Sequence, residues 1–505
     1  MSTALEIPDI LFIEESSNPT ALLADFQEIR KFYEIYREGA DWKSADETKD
    51  FTPAELRFKI SASLINKQAR FLFAEPPDIL VEPNDGIDKL TEADETAISR
   101  LESLVRSILY ENRFEEALIK AAKDCFIGKR VAGVVNFDEE HGVTLSFIPA
   151  LQFLFETSFY NSNVIEKFVY FRAFFDSDAK EKRVYKKKYT LEEGIVFVAE
   201  TIHDPSGDIV EVVLEKTPTL LAAIPVSVFI NDGLTGDTDG ESEIALLEDF
   251  ESWHSRMSNA DIDAGRANMN PIRYAIDMEP ESTKGLKSRP GEFWDLATNQ
   301  NADKESAKVG ILENSMNYSE PLKTTLDRIK TSAFEQVDVP NITLETMAGV
   351  ITSGKSLKAL YWSLIIRCKE KMKVWGPQLR LLVKTIIDGS YQYPNCIQQY
   401  IAEPLLEVDY EVKIVQNHSL PEDEMEEMSI DLQNVESKTM SKKAYMQKWR
   451  GLTDDQVEDE LRQIGLERQI LEDFAFQESV ASSQESEYRR QNTAVGLRPA
   501  FSPDS

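Results

Sequence analysis

Between Leu357 and Ile386, apolar side chains recur every three or four positions, at Leu357, Tyr361, Leu364, Cys368, Met372, Trp375, Leu379, Leu382 and Ile386. That period marks one face of an α-helix. Run from Lys355 to Asp388, the helix would be about 50 Å long. Gly376-Pro377 is expected to kink it, because proline removes one helical hydrogen bond and crowds the preceding turn. Gly389 is the expected C-cap.

The rest of the chain alternates between two other periods. Leu22, Phe26, Ile29, Tyr33 and Tyr36 predict a helix starting near Asn18-Pro19-Thr20. Further helices are expected from Pro53 to Phe73 and from Ala97 to Phe126. Strand patterns then follow at Val131–Phe137, Val143–Ile148, Phe168–Phe175, Val184–Thr190, Ile195–Ile202 and Ile209–Leu214. Short polar breaks between some of them are the grammar of an antiparallel sheet.

After Ile224–Asn231 and a Gly/Asp loop, a second long helix is expected from about Glu241. Ile244, Leu247, Phe250, Trp253 and Met257 form one stripe, continued by the smaller Ala260, Ala264 and Ala267 until Pro271. A large-to-small gradient suits packing against copies of the same helix; one helix in an ordinary core gives the same periodicity. A partner helix starts at Ser319, with Pro321 in its first turn and Leu322, Leu326, Ile329 and Ala333 on its apolar face. Together they read as a helical hairpin with a decorated tip. Beyond a strand-like Val408–Val415 lie acidic helices, and the Ser/Gln-rich end is expected to be disordered. The fold class is α+β, mainly helical.

Composition narrows function by exclusion. The 505 residues carry 56 Lys+Arg against 89 Asp+Glu, a net charge of −33. That rules out a broad basic face gripping nucleic acid, but not contact with DNA that must slide. Cys125, Cys368 and Cys396 lie far apart and form no CxxC pair, and His141, His203, His254 and His418 have no metal-ligand spacing. Neither a metal nor a cofactor is expected. The acidic first residues do not resemble a secretory signal, and no apolar run reaches 18 residues, so a soluble, intracellularly made protein is expected.

Gly349-Val-Ile-Thr-Ser-Gly354-Lys355-Ser356 matches the phosphate-cradling GxxxxGK[ST] loop. There Lys355 would pair with nucleotide phosphates and Ser356 with magnesium. Its context differs from a nucleotide site. The residues before it, Asn341 to Ala348, include a charge and two threonines where a buried parallel strand should run. The nearest magnesium-bearing segment, Leu381–Asp388, lies at a helix end. Asp232, Asp237, Asp239 and Glu241 have the wrong spacing for calcium. They are expected to cap the helix that follows, where carboxylates favour the N-terminal dipole.

Four stretches in order carry a resemblance. Phe58-Lys-Ile-Ser-Ala-Ser-Leu-Ile-Asn66 through Phe71-Leu-Phe-Ala-Glu-Pro-Pro77 is a helix ending before an extended strand. Ile224-Pro-Val-Ser-Val-Phe-Ile-Asn231 leads through Gly240-Glu-Ser-Glu243 into a long helix. Ser353-Gly354-Lys355-Ser356-Leu357-Lys358-Ala359-Leu360 opens the longest helix. Val412-Lys-Ile-Val-Gln-Asn417 leads to Pro421-Glu-Asp-Glu. Their order resembles the portal proteins of tailed double-stranded DNA bacteriophages, of the siphovirus type, over roughly residues 20 to 475. It also gives the GKS match a second, non-nucleotide explanation.

The resemblance implies a portal fold assembled as a dodecameric ring at one capsid vertex, and no enzyme. It divides the chain into an N-terminal wing (1–240), first stem helix (241–271), clip (272–316), second stem helix (317–340), tunnel loop with the long wing helix (341–420), crown helices (421–476) and a tail (477–505). It makes Gly349, Val350, Ile351, Thr352, Ser353 and Gly354 a tunnel loop in the DNA channel. Lys355 and Lys358 become possible phosphate contacts. Ile244, Leu247, Phe250, Trp253, Met257, Ala260, Ala264, Leu322, Leu326 and Ile329 become stem-packing residues. Implied partners are double-stranded DNA, the large terminase subunit, a head–tail adaptor, and the major capsid and scaffolding proteins. The implied location is the virion, after assembly in the bacterial host cytoplasm. The alternative is a P-loop NTPase using Gly349–Ser356.

Overall fold

The computed structural model describes residues 7–43, 52–84, 91–177, 179–231, 239–269, 272–284, 294, 296–298, 308–312, 316–342, 359–401, 403–416, 424–451, 456–457 and 460–465. The chain divides into two compact units: Met1–Val350 with Lys358–Ser419, and Ile351–Leu357 with Leu420–Ser505.

The larger unit opens with α1 (Asp9–Glu15) and α2 (Pro19–Glu38). Asn18 caps α2 by accepting the Ala21 N–H, and Pro19 occupies the first turn, where its missing donor is not needed. Next come α3 (Ile60–Phe73), β1 (Asp78–Pro83), α4 (Glu92–Glu111) and α5 (Phe114–Gly128). Two expectations are corrected here. Residues 53–59, expected as the first turns of a helix, are not helical. The helix expected over Ala97–Phe126 is two helices, parted at Arg113 with φ +49°. Asn112 explains the break. Its amide donates to Val143 O at 3.0 Å and accepts from Leu145 N at 2.8 Å, so a tertiary pairing draws the chain off the helical path.

The six expected strands all form, as β2 (Arg130–Asp138), β3 (Gly142–Pro149), β5 (Ile165–Asp176), β6 (Glu181–Glu192), β7 (Ile195–His203) and β8 (Ile209–Pro218). β4 (Phe153–Thr157) was not legible, and β9 (Val226–Ile230) lies inside the Ile224–Asn231 run. They build two antiparallel sheets, ordered β3-β2-β9 and β4-β5-β6-β7-β8. β2 is buried on both faces, so alternate side chains enter different cores. Val131 and Val135 join Phe126, Phe229 and Trp375 on the helical side, while Ala132 and Val134 join Phe153, Phe168 and Tyr170 between the sheets. The far face of the larger sheet is covered by α1 and α2 through Phe12, Phe26, Phe171 and Val169.

Electrostatics fasten α1 there. Glu15 meets Lys186 at 2.8 Å, Lys188 at 2.9 Å and Lys167 at 3.1 Å. Burial works against its charge, yet the three ammonium groups hold its carboxyl down to about 2. A depressed carboxylate stabilises the fold above its unfolded value near 4.5. That contribution is lost as pH falls from there towards 2. Solvent at the lysines trims the effect to about 1–2 kcal/mol. Acid titration of unfolding should show this loss in wild type and not in Glu15→Gln; equal acid sensitivity would refute it.

The long helix is α9, Trp362–Gln392, continuous through Pro377. It passes Gly389, expected as its cap, and ends three residues later. Gly389 serves a close approach instead, since a Cβ there would come within 2.0 Å of the Phe137 ring. β12 (Tyr410–Val415) pairs antiparallel with β1. In the smaller unit α10 (Glu424–Glu436) and α11 (Lys442–Arg450) form a hairpin in which Asp431 accepts from Lys448 Nζ at 2.8 Å and Trp449 Nε1 at 3.0 Å. Residues 477–505 lie outside the described residues.

Candidate functional site

Two helices leave the core as a pair. α6 (Glu243–Met269) packs along α8 (Ser319–Gln336), and where they meet distally Asn268 Nδ2 donates to Tyr318 Oη at 3.4 Å. Between them, β10 (Ile272–Ile276) and β11 (Lys308–Leu312) form an antiparallel ladder running from Ile272↔Leu312 to Ile276↔Lys308. A short helix α7 (Pro280–Thr283) and a bridge between Met278 and Thr298 extend this tip.

The base of the pair is a buried charge network. Glu243, 1% exposed, accepts from Lys371 Nζ at 2.7 Å and Arg367 Nη2 at 2.8 Å, both on α9. Arg367 also reaches Asp338, just past α8, at 3.3 Å. Lys371 donates to Asn231 Oδ1 at 2.7 Å and lies over the Phe126 ring. Desolvation alone would raise the Glu243 pKa; Lys371 and Arg367 outweigh it and hold the carboxyl below its ordinary value. Two cations and two carboxylates thus tie both feet of the hairpin to the longest helix.

A second device runs along α6. Its inward face carries Glu251, Ser255, Asn259 and Asp263, four residues apart; the last three each accept a backbone N–H from the segment 54–58 beside it, and Glu251 accepts one from Ser61 in the first turn of α3. Asp263 takes Ala54 N at 3.0 Å, Asn259 takes Leu56 N at 2.8 Å, Ser255 takes Phe58 N at 3.2 Å and Glu251 takes Ser61 N at 2.6 Å. Spacing makes this possible. Two extended residues advance about 6.6 Å, and four helical residues rise about 6 Å. Polar side chains on a helix therefore satisfy an extended backbone as a sheet edge would, which is why residues 53–59 do not join α3.

The predicted residues fall into three groups. Ile244 and Leu247 are buried in the main core; Phe250 and Met257 are half-buried. Trp253 is 53% exposed, and Ala260 and Ala267 are exposed too, with Ala264 intermediate. Leu322, Leu326 and Ile329 are half-buried, whereas Ala333 and Phe334 at the base are buried. The loop Gly349, Val350, Ile351, Thr352, Ser353 and Gly354, with Lys355 and Lys358, lies outside the described residues, as do Asp232 and Asp237.

Of the four acids expected to cap α6, Asp239 and Glu241 are described, and the cap there is Ser242 instead. Asp239 faces Arg130 at 3.7 Å, and Ser242 Oγ accepts the Ile244 N–H at 3.1 Å. A short hydroxyl at that position satisfies an orphan donor without bringing a second charge to the buried Glu243. Leu381–Asp388 is helical, so it supplies no magnesium-bearing strand. Among the described residues no group of three metal-ligating side chains occurs, and no helix is long and apolar enough to cross a membrane.

Sequence reasoning missed Glu243, Arg367 and Lys371, since the acid lies over 120 residues from both cations. The strict fourfold spacing from Glu251 to Asp263 was a visible signal for the ladder.

No curated protein matches the chain. A family model described as phage portal protein, SPP1 Gp6-like, matches residues 20–470 of the 505. Such proteins are structural and not catalytic, and they belong to the capsid vertex of the virion and to genome packaging. With the match running through both sheets, the helical pair and α9, this chain belongs to the phage portal protein family of the SPP1 Gp6-like type.

Proposed function

We propose that copies of this protein, twelve by family resemblance, close into a ring at one capsid vertex, and that double-stranded DNA enters and leaves through its channel. The observation that carries this reading is the helical pair with a stranded tip, rooted by Glu243 in the protomer's own core. In a ring, α6 and α8 are the stem, residues 272–316 the clip, and α10 and α11 part of the crown towards the capsid interior. The terminase large subunit docks on the clip during packaging, and a head–tail adaptor replaces it afterwards. Capsid and scaffolding proteins surround the rim.

The exposed Trp253, Ala260 and Ala267 then face neighbouring stems. They are not needed for the protomer's own core, and small residues allow close helix approach. The tunnel loop Gly349–Gly354 faces the DNA, with Lys355 and Lys358 making transient phosphate contacts. A net charge of −33 per copy favours passage over gripping, since few counterions are released on contact. No nucleotide is consumed by the ring itself. Negative-stain images of the full chain co-expressed with its scaffolding protein should show rings with a central hole. Monomers alone would overturn the reading, as would magnesium-dependent ATP hydrolysis that disappears in Lys355→Ala.

A further inference from the structure

Most buried or half-buried cations of this protein are matched by acids. Lys129 and Arg130 share Asp25, Lys187 meets Glu200, and Arg367 and Lys371 share Glu243. On the exposed surface, one pair of cations stands at the rim of a cavity without such a match. Lys67 and Arg70 stand nearly one turn apart on the outer face of α3, at the rim of a cavity of about 310 Å³. Lys67 lies 4.8 Å from the Phe334 ring centroid, and burial together with the like charge of Lys330 holds its pKa below the ordinary lysine value. Among the described residues, no acidic side chain pairs with Lys67, Arg70 or Lys330.

The cavity wall is of another kind. Val339, Pro340, Ile342 and Leu364 make it apolar, and Phe71 stacks on Tyr361 with centroids 5.6 Å apart and planes within 3°. A cationic rim over an apolar, aromatic floor suits a carboxylate on an aliphatic stem. A duplex phosphate fits it poorly. Held on a convex rod, it would touch the rim and leave the apolar floor wet. The chain's own composition indicates the source of the carboxylate. With 89 acids against 56 bases, two copies brought together meet mainly like charge. Cations without a partner are where that contact turns attractive.

We infer that this cavity receives a glutamate side chain from a second copy of the chain, with Lys67 and Arg70 pairing its carboxylate and the Phe71–Tyr361 pair covering its methylenes. The inference rests on the ring reading above and adds to it a named contact between copies. The test compares full-length wild type, Lys67→Glu/Arg70→Glu and Lys67→Arg/Arg70→Lys by mass photometry over a range of protein concentrations. It is run in about 50 mM and about 500 mM NaCl, where charge screening is weak and strong. Both side chains are exposed, so urea unfolding of the three proteins should coincide.

At low salt the charge-reversed protein should need about tenfold more protein for half-assembly. High salt should collapse that difference, and the conservative pair should follow wild type. Rings that form identically in the reversed protein at both salts would overturn the inference and leave the ring reading standing. A wild type that forms no ring under any condition would overturn both. Unchanged assembly with lost retardation of a short DNA duplex would reassign the cavity to phosphate, and also overturns it.

Discussion

Glu243→Gln is expected to destabilise the fold by about 3–5 kcal/mol, because it leaves two interior cations without their shared anion. Lys371 is 3% exposed and the Arg367 side chain 14%, so water replaces the carboxylate poorly, least of all at Lys371. The effect should appear as a lower urea midpoint at unchanged slope. Adding Lys371→Met should recover part of the loss, since it removes one stranded charge and keeps an unbranched side chain in the space. A single variant within about 0.5 kcal/mol of wild type would show that the network does not anchor the hairpin. The pH dependence has a definite sign. Glu243 is held below its ordinary value near 4.5, so its stabilisation is present above that pH and fades as pH falls beneath it.

Glu251→Ala should be the next most damaging change, at about 2–4 kcal/mol. The Glu251 carboxylate is fully buried and accepts from Ala40 N at 2.8 Å, Ser61 N at 2.6 Å and the Ser61 hydroxyl. Alanine strands all three donors in a place that water does not reach. Hydrogen exchange offers a local readout. Amides of Leu56, Phe58 and Ser61 should exchange faster in the variant, while those of β2 and β5 stay protected at any stability above the global unfolding limit. Unaltered exchange over residues 54–61 would mean that the ladder does not hold the segment. Glu251→Gln, which keeps an acceptor oxygen, should fall between the two.

The sequence made most regular elements readable because residue type and period are local properties of each segment. The stripe from Leu364 to Ile386 gave α9, and runs of β-branched and aromatic residues set off by polar breaks gave β2, β3 and β5 to β8. Boundaries failed where a tertiary partner replaced a local one. Asn112 leaves its helix for β3, and Gly389 answers to the Phe137 ring and not to a helix end. Residues 53–59 alternate between apolar and polar with the period of an extended segment, a signal the expected helix passed over, and α6, two hundred residues on, supplies the partners. The network at Glu243 was hidden for the same reason, since a lone acid at a helix start reads as a dipole partner. The family relation survived these errors because it rests on the order of elements and not on their ends.

The ladder on α6 has a mechanical side. Its rungs pair Ala54 with Asp263 and Ser61 with Glu251, so the two segments run in opposite directions along one line. A pull along that line loads every rung at once, as in a joint under shear. A pull at right angles opens them in turn, like a seam. Any axial thrust transmitted through α6 therefore meets the stronger of the two geometries, and the segment 54–61 would yield first to a sideways tug at its Ala54 end.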